Sequence, residues 1–357
     1  MLDISIVVTS FNVGPYLSAA VASIVDGIDA ISYEVIIVDD GSTDSSPSIA
    51  ESLASRYHNV RTILFKDRTV GGVASAANAG INAAKGEFLG FLDGDDIVLP
   101  GTFDKLVWAA KSGSADIAIC GFATLMHESG VLVPQYDRDD WSQLVSTPVI
   151  TGDHIFDLLY VSPEPWRKIY RRAFLGENLR FPVVENYFED VPFHWAIIHT
   201  AKSAAICDFI GFHHRGQRSG QTTYGDADRR AAALFHYAEL VKSESVSAHR
   251  VAQMALLAWF IRGLSWIRGD LSPEVACKVM SMARDLLNRF PKKDIAIAAA
   301  RRQAGGKLIR RNRRAFLALM YLSVGAKRLF LRRLAAKKIT NGEIWMTHLV
   351  WQYWRRG

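Results

Sequence analysis

The segment Phe91-Leu92-Asp93-Gly94-Asp95-Asp96 closes an apolar run with three carboxylates in four residues, and Gly94 lets the backbone turn between them. Hard oxygen donors at a strand end suit Mg2+ or Mn2+, ions that keep several waters and complete their shell with substrate phosphates. A second acidic cluster, Val38-Asp39-Asp40-Gly41-Ser42-Thr43-Asp44, ends an earlier apolar run. Paired carboxylates cost solvation, and Ser42 or Thr43 can cap a following helix, so this stretch reads either as a ligand-binding turn or as an ordinary capped βα turn. Glu189-Asp190 offers a proton-accepting carboxylate or, taken alone, a solvated pair at a helix start. In Phe212-His213-His214-Arg215-Gly216-Gln217-Arg218 the two arginines carry planar forks that fit phosphate oxygens. The two imidazoles there can ligate metal or act as hydrogen-bonded structural groups.

Such residues need a frame that brings them together. Ile4 to Thr9, Glu34 to Asp39, Val60 to Phe65, Glu87 to Leu92 and Asp116 to Phe122 read as buried strands, and 15–25, 44–56, 74–85 and 102–111 as helices. That alternation predicts an α/β fold with a doubly wound, Rossmann-like, mostly parallel sheet. Ligands bind beyond the carboxyl ends of such strands, where both acidic clusters fall. The first strand is followed by Ser10-Phe11-Asn12-Val13-Gly14-Pro15, which lacks the dinucleotide fingerprint, and no P-loop occurs, which disfavours a dehydrogenase or a P-loop kinase. Residues 126–148, with Pro134, Asp137, Asp139, Asp140 and Pro148, read as a loop or hairpin connection. Short mixed elements follow to 225, and the chain reads as helical from 226 onward, over 226–243, 246–268 and 272–289, before a basic stretch.

Taken in order, several segments resemble the family 2 glycosyltransferases of the GT-A fold across residues 3–222: Ser5-Ile6-Val7-Val8-Thr9-Ser10-Phe11-Asn12, Val38 to Asp44, Gly71-Gly72 with Asn78-Ala79-Gly80, Gly86-Glu87-Phe88, Leu92 to Asp96, Trp166-Arg167-Lys168-Ile169-Tyr170, and Phe188-Glu189-Asp190. The resemblance implies that Thr9, Phe11, Asp39 and Asp40 hold the donor's base and ribose, joined by Asn78. It makes Asp93 and Asp95 the D-x-D pair, with Asp95 the direct metal ligand, Asp93 on ribose or metal-bound water, and His214 a candidate for the same shell. Arg215 and Arg218 would grip the diphosphate. Asp190, next to Glu189, would be the catalytic base of an inverting reaction, and Trp166, Lys168 and Tyr187 would lie on the acceptor side, unless the aromatics are core residues. One departure stands out: Ala77 precedes Asn78 where family members commonly carry Arg, leaving Lys66, Arg68 and Lys168 as cations to replace its charge.

Two acidic sites with separate tasks fit that chemistry. A divalent cation stabilises the charge growing on a departing nucleoside diphosphate, and a carboxylate on the opposite face takes the acceptor's proton. The implied activity is metal-assisted transfer of one sugar from a nucleotide-sugar, a UDP-sugar by expectation, to a hydroxyl of a glycan or lipid-linked acceptor. Processive relatives carry Q-x-x-R-W; the nearest match here is Gln352-Tyr353-Trp354-Arg355-Arg356. The rival readings are a noncatalytic glycan- or nucleotide-binding subunit on the same fold, and a nucleotidyltransferase, whose Gly- and basic-rich N-terminal loop is missing. The expected organisation is a nucleotide-sugar-binding half over 1–125, an acceptor-binding half over 126–225, and a helical C-terminal region over 226–357.

Composition agrees with a globular chain: 49% of its 357 residues are hydrophobic and 22% charged, enough to bury a sizeable core, which excludes disorder and fibre. Cys120, Cys207 and Cys277 are too few and too scattered for a disulfide framework or zinc site, so a reducing compartment is expected. The opening MLDISIVVTS has no basic n-region, and no apolar run approaches the roughly 20 residues of a spanning helix. Charge is unevenly distributed. Residues 301–357 hold 15 Lys/Arg against Glu343 alone, while the first 300 hold 27 basic and 35 acidic residues. Basic residues mixed with Trp, Phe and Leu over 307–357 suit an anionic membrane surface or a solvated bundle face, and no nucleic-acid motif accompanies them. A cytoplasmic protein, peripheral at the inner face of the plasma membrane, is the expectation.

Overall fold

Runs of β-branched residues build the sheet that carries the acidic clusters. β1 (Ile4–Ser10) is buried along its whole length, and β2 (Tyr33–Asp39) along all but its first residue, as strands covered by helices on both faces must be. With β3 (Val60–Leu64) and β4 (Phe88–Asp93) they form a parallel array in the order β3-β2-β1-β4. The chain steps outward from β1 to β3 and then returns to the other side of β1, which makes the carboxyl ends of β1 and β4 the switch point where sheets of this kind form a crevice. Register does the rest: Ser10 stands opposite Asp39, and Thr9 opposite Asp93.

The helices between these strands are α1 (Gly14–Val25), α2 (Ser46–Arg56) and α3 (Val73–Ala83). The start of α1 is fixed by the turn after β2, whose side chains accept its first N–H groups: Val13 N donates to Ser46 Oγ at 2.9 Å and Gly14 N to Asp44 Oδ2 at 3.0 Å. A Cβ at Gly14 would stand 2.4 Å from Ser45 Oγ and 3.1 Å from Asp44 Oδ2, so any larger residue must displace the side chains of this turn.

The sheet continues through β9 (Lys168–Arg171), β6 (Ile117–Met126) and β10 (Ser203–Gly216) to β5 (Ile97–Val98), with β7 (Leu132–Pro134) on β6 and β8 (Val149–Thr151) on β10. β6 and β10 run with β1–β4, whereas β5, β7, β8 and β9 run against their neighbours. The helices here are α4 (Thr102–Ser112), α5 (Arg138–Leu144), α6 (Arg172–Leu175) and α7 (Asp190–Thr200).

The acidic connection over 126–148 is more ordered than its polarity suggests. It supplies the β6–β7 hairpin and α5, and it buries Asp137 and Asp140. Asp137 pairs with the fully buried Arg167 at 2.6 Å and also accepts the Ser162 N–H, while the guanidinium lies over the rings of Phe122 and Trp141.

The computed structural model describes residues 2–183, 188–221, 227–243, 248–267 and 271–301. The chain divides into two units, Met1–Tyr224 and Gly225–Gly357. The second is helical where described, with Ala227–Leu240, Arg250–Trp266, Pro273–Leu287 and Lys292–Arg301 packed around Leu234, Leu256, Phe260, Val279 and Ile295. Ser272 caps its third helix by accepting the Val275 N–H, with Pro273 in the first turn. The basic stretch 307–357 lies outside the described residues, and no helix among those described is long and apolar enough to cross a membrane.

Removing one partner of a buried pair strands the other's charge, so Asp137→Ala is expected to cost about 3–5 kcal/mol in denaturant unfolding. Burial alone would raise the Asp137 carboxyl, but Arg167 and the Ser162 N–H outweigh it and hold the group below its usual range. The pair therefore stabilises the fold above the unfolded carboxyl's pKa of about 4 and loses that contribution as pH falls below it. The gap between wild type and Asp137→Asn should narrow in acid.

Candidate active site

The carboxyl ends of β1 and β2 form one wall of the crevice. Asp39 is fully buried and accepts hydrogen bonds from Ser10 Oγ (2.7 Å), Ser42 N (2.8 Å) and Ser42 Oγ (2.7 Å). Asp40 uses Oδ1 to hold Thr69 through its N–H and its hydroxyl, while Oδ2 is buried with no partner. An unpaired buried carboxylate oxygen is costly, and it marks a place where a hydrogen-bond donor is wanted. Phe11 lies beside this wall with the Arg68 guanidinium 4.2 Å from its ring centroid. Arg68 is exposed, on the loop that Thr69 ties to Asp40. Ala77 is buried.

The turn after β4 forms the second wall. Asp93 accepts the Thr9 hydroxyl at 3.0 Å. Burial, then the charges of Asp96 and Asp95, push its carboxyl up to about 7. Asp96 is 1% exposed and turns inward, where Oδ2 meets His214 Nδ1 at 3.0 Å and Oδ1 accepts the Arg215 N–H at 2.7 Å. Asp95 accepts Arg218 Nε on its carboxylate and Arg215 Nε on its carbonyl. Burial works against charge on His214, but Asp96 and then its acidic neighbours raise it to about 9. The end of β10 thus brings three cations to three carboxylates that lie more than a hundred residues earlier in the chain.

The third feature is α7. Asp190 is its first helical residue, with Oδ1 sealed from solvent and unpaired. Burial, then Glu189 and Glu164, lift its carboxyl well above the usual range, while Lys168 works in the opposite direction. Burial also raises Glu189. A carboxyl that is costly to ionise holds a proton more tightly than an ordinary one, and the unpaired oxygen is free to receive it.

With this geometry in hand, comparisons with known proteins are specific. The model of the family described as Glycosyl transferase family 2 matches residues 5–156. Over residues 5–156 the chain is similar to the family 2 glycosyltransferases. The chain is 32% identical over 212 residues to the uncharacterized glycosyltransferase EpsJ of Bacillus subtilis, an alignment covering 57% of this chain and 58% of that relative. Among solved structures it is similar to S. aureus TarS 1–349 in complex with UDP-GlcNAc, with a TM-score of 0.63 at 20% identity over 88% of this chain and 92% of that one. It is also similar to the mannosyltransferase PcManGT of Pyrobaculum calidifontis in complex with GDP-Man and Mn2+, with a TM-score of 0.54 at 17% identity over 85% and 88%. The expected α/β architecture is the GT-A fold of these structures.

Within the matched stretch and its continuation to β10, Thr9, Phe11, Asp39, Asp40, Asp93, Asp95, Arg215 and Arg218 gather at the carboxyl edge of the sheet. Other expectations need correction. Trp166 is 3% exposed, wedged against Phe122 and Phe212 and stacked under His214 at 5.3 Å, so its ring is a floor of the site and not an open sugar platform. Lys168 is fully buried, its Nζ donating to the carbonyls of Ser162 and Glu164, which removes it both as an acceptor contact and as a substitute for the missing Arg. Burial and Arg167 lower it to about 7. Asn78 spends both ends of its amide on the Phe181 backbone, at 2.8 and 2.9 Å. His214 has its Nδ1 on Asp96 at 3.0 Å, which fixes the ring and leaves Nε2 toward the Gln221 amide at 3.4 Å. Tyr187 lies outside the described residues.

A metal shell made wholly by protein is not formed: among the described residues no three His, Cys, Asp or Glu side chains converge for one. The donor set is two rim carboxylates, Asp93 and Asp95. It fits Mg2+ or Mn2+, whose remaining ligands come from phosphate and water.

Sequence reading missed Tyr16, which lies under Arg215 and Arg218, and the Asp96–His214 pair. The asparagine clamp has a measurable signature. Asn78→Ala should speed hydrogen exchange at the Phe181 amide and cost about 1–3 kcal/mol of unfolding free energy.

Proposed function

We propose that the chain is an inverting, metal-assisted glycosyltransferase that moves a single sugar from a nucleotide-sugar, a UDP-sugar in the first instance, to a hydroxyl of a glycan or lipid-linked acceptor. The observation that carries this reading is the pairing of Asp95 with Arg218 beside Asp93, at one end of a crevice whose other wall is Asp39, Asp40 and Phe11. The first end suits a diphosphate and the second a nucleoside. The complexes of TarS with UDP-GlcNAc and of PcManGT with GDP-Man and Mn2+ support the same choice of donor class on this fold.

Phe11 offers the base a flat face, and the unpaired Asp40 Oδ2 offers it or the ribose an acceptor. Arg215 and Arg218 take the diphosphate, their forks matching its oxygens. Arg68, at the mouth over Phe11, supplies the charge that Ala77 does not. A divalent ion held by Asp93 and Asp95 would neutralise charge on the departing diphosphate. Asp190 takes the proton of the attacking hydroxyl, and its raised carboxyl gives it the affinity to hold that proton. The basic residues over 307–357 dock the enzyme on anionic lipid at the cytoplasmic face of the membrane, where lipid-linked acceptors lie.

Thermal shift with UDP and other nucleoside diphosphates, with and without Mn2+, tests the donor reading, since ligands that bind the folded state raise its apparent stability. Asp95→Asn should lose the Mn2+-dependent part of the shift. Asp190→Asn should keep UDP binding while transfer falls about 10²- to 10⁴-fold; near-normal turnover on the true acceptor would remove Asp190 as base. Because Asp190 is ionised only above its raised pKa, wild-type transfer should fall on the acid side along a limb displaced upward from the ordinary carboxylate value of about 4. Cosedimentation with phosphatidylglycerol vesicles tests the tail: the chain lacking 307–357 should stay in the supernatant and still bind UDP, and equal pelleting would refute the docking role.

A further inference from the structure

We propose that Tyr16 is a positioning residue for the donor diphosphate, its ring a platform that holds Arg215 and Arg218 together at the β4 turn. The inference rests on the donor reading above and adds a residue to it. The Tyr16 ring centroid lies 4.8 Å from the Arg215 guanidinium carbon and 5.5 Å from that of Arg218. His127 meets the ring edge-on at 5.7 Å, and the Tyr16 hydroxyl is 3.4 Å from His127 Nε2. The His127 backbone N–H in turn donates to the carbonyl of Gly216, which lies between the two arginines in sequence, at 2.9 Å.

Two guanidinium groups sharing one small region repel each other, and a phosphate-binding fork is useful only when its plane is fixed before the ligand arrives. An aromatic face answers both needs, since its quadrupole attracts each cation and its flatness sets their orientation. Tyr16 can do this because its own position is fixed. It sits in the first turn of α1, whose start is capped by Asp44 and Ser46 and confined by the close approach at Gly14. The order imposed by the β2–α2 turn is thereby passed through one ring to the two arginines, and from them to Asp95 through their Nε groups. Tyr16 is only half-buried, so the ring is not there to fill the core.

The test compares UDP with uridine by calorimetry, because only the phosphate-dependent part of the affinity passes through the arginines. In the full chain, Tyr16→Leu should weaken UDP binding about tenfold and leave uridine binding unchanged, while Tyr16→Phe, which keeps the ring, stays within about twofold of wild type for both. Tyr16→Met fills similar space without an aromatic face and should repeat the Leu result if the Leu chain folds poorly. Wild-type UDP affinity in the Leu or Met chain, or equal losses of UDP and uridine, would overturn the inference. The Arg215→Ala, Arg218→Ala double variant separates the two levels: if it binds UDP as wild type does, or if the wild type binds none, the donor reading itself fails and the Tyr16 role falls with it.

Discussion

Charge balance at the β4 turn is the constraint around which this molecule is arranged. Three carboxylates within four residues, at the buried end of an apolar strand, cannot all stay ionised unaided. The answer comes from the far end of the first unit, where β10 delivers His214, the Arg215 amide and side chain, and Arg218 to the same turn. The three acids end up with different work. Asp96 is consumed as an internal anchor, Asp95 is held by arginine, and Asp93 remains at the rim with a raised carboxyl. Three carboxylates and three cations are thus held together at one turn, with the arginine forks beside the least covered acid.

The same economy appears at the β2 end. Asp39 is saturated by Ser10 and Ser42 and so holds the turn in shape, whereas Asp40 keeps one oxygen unpaired. Sheet register places these groups at one edge, with Ser10 beside Asp39 and Thr9 beside Asp93. The turn that carries this wall also supplies Asp44 and Ser46, which accept the N–H groups at the start of α1. Backbone placement and the placement of these acids are therefore not separable, and a change in the β2–α2 turn should be felt at the β4 turn.

Much of this was legible in the residues because strand ends announce themselves: an apolar β-branched run followed by Asp, Gly and Ser gave β1 to β4 and both acidic clusters. What escaped was burial in long-range pairs. Asp137 looked like a loop acid and Lys168 like a cation available to substrate, because neither carries a local sign of Arg167 or of the carbonyls that cage the ammonium. Trp166 was open to two readings, and only the packing of Phe122, Phe212 and His214 around it decides between them. β10 was hard to see whole because register shifts between Cys207 and Phe212 break its alternation. Asp95 and Asp96 are adjacent and chemically identical, and their division of labour is set by His214, 118 residues further along the chain.

The central claim is that the acids after β4 and the arginines after β10 together receive a metal-bound diphosphate. Crystals soaked with UDP and Mn2+ test it most directly through an anomalous difference map at the manganese edge. The predicted result is a single manganese peak within ligand distance of Asp95 or Asp93, with Arg218 moved from the Asp95 carboxylate onto the diphosphate. Manganese bound elsewhere, or UDP bound with Arg218 still closed on Asp95, would contradict it.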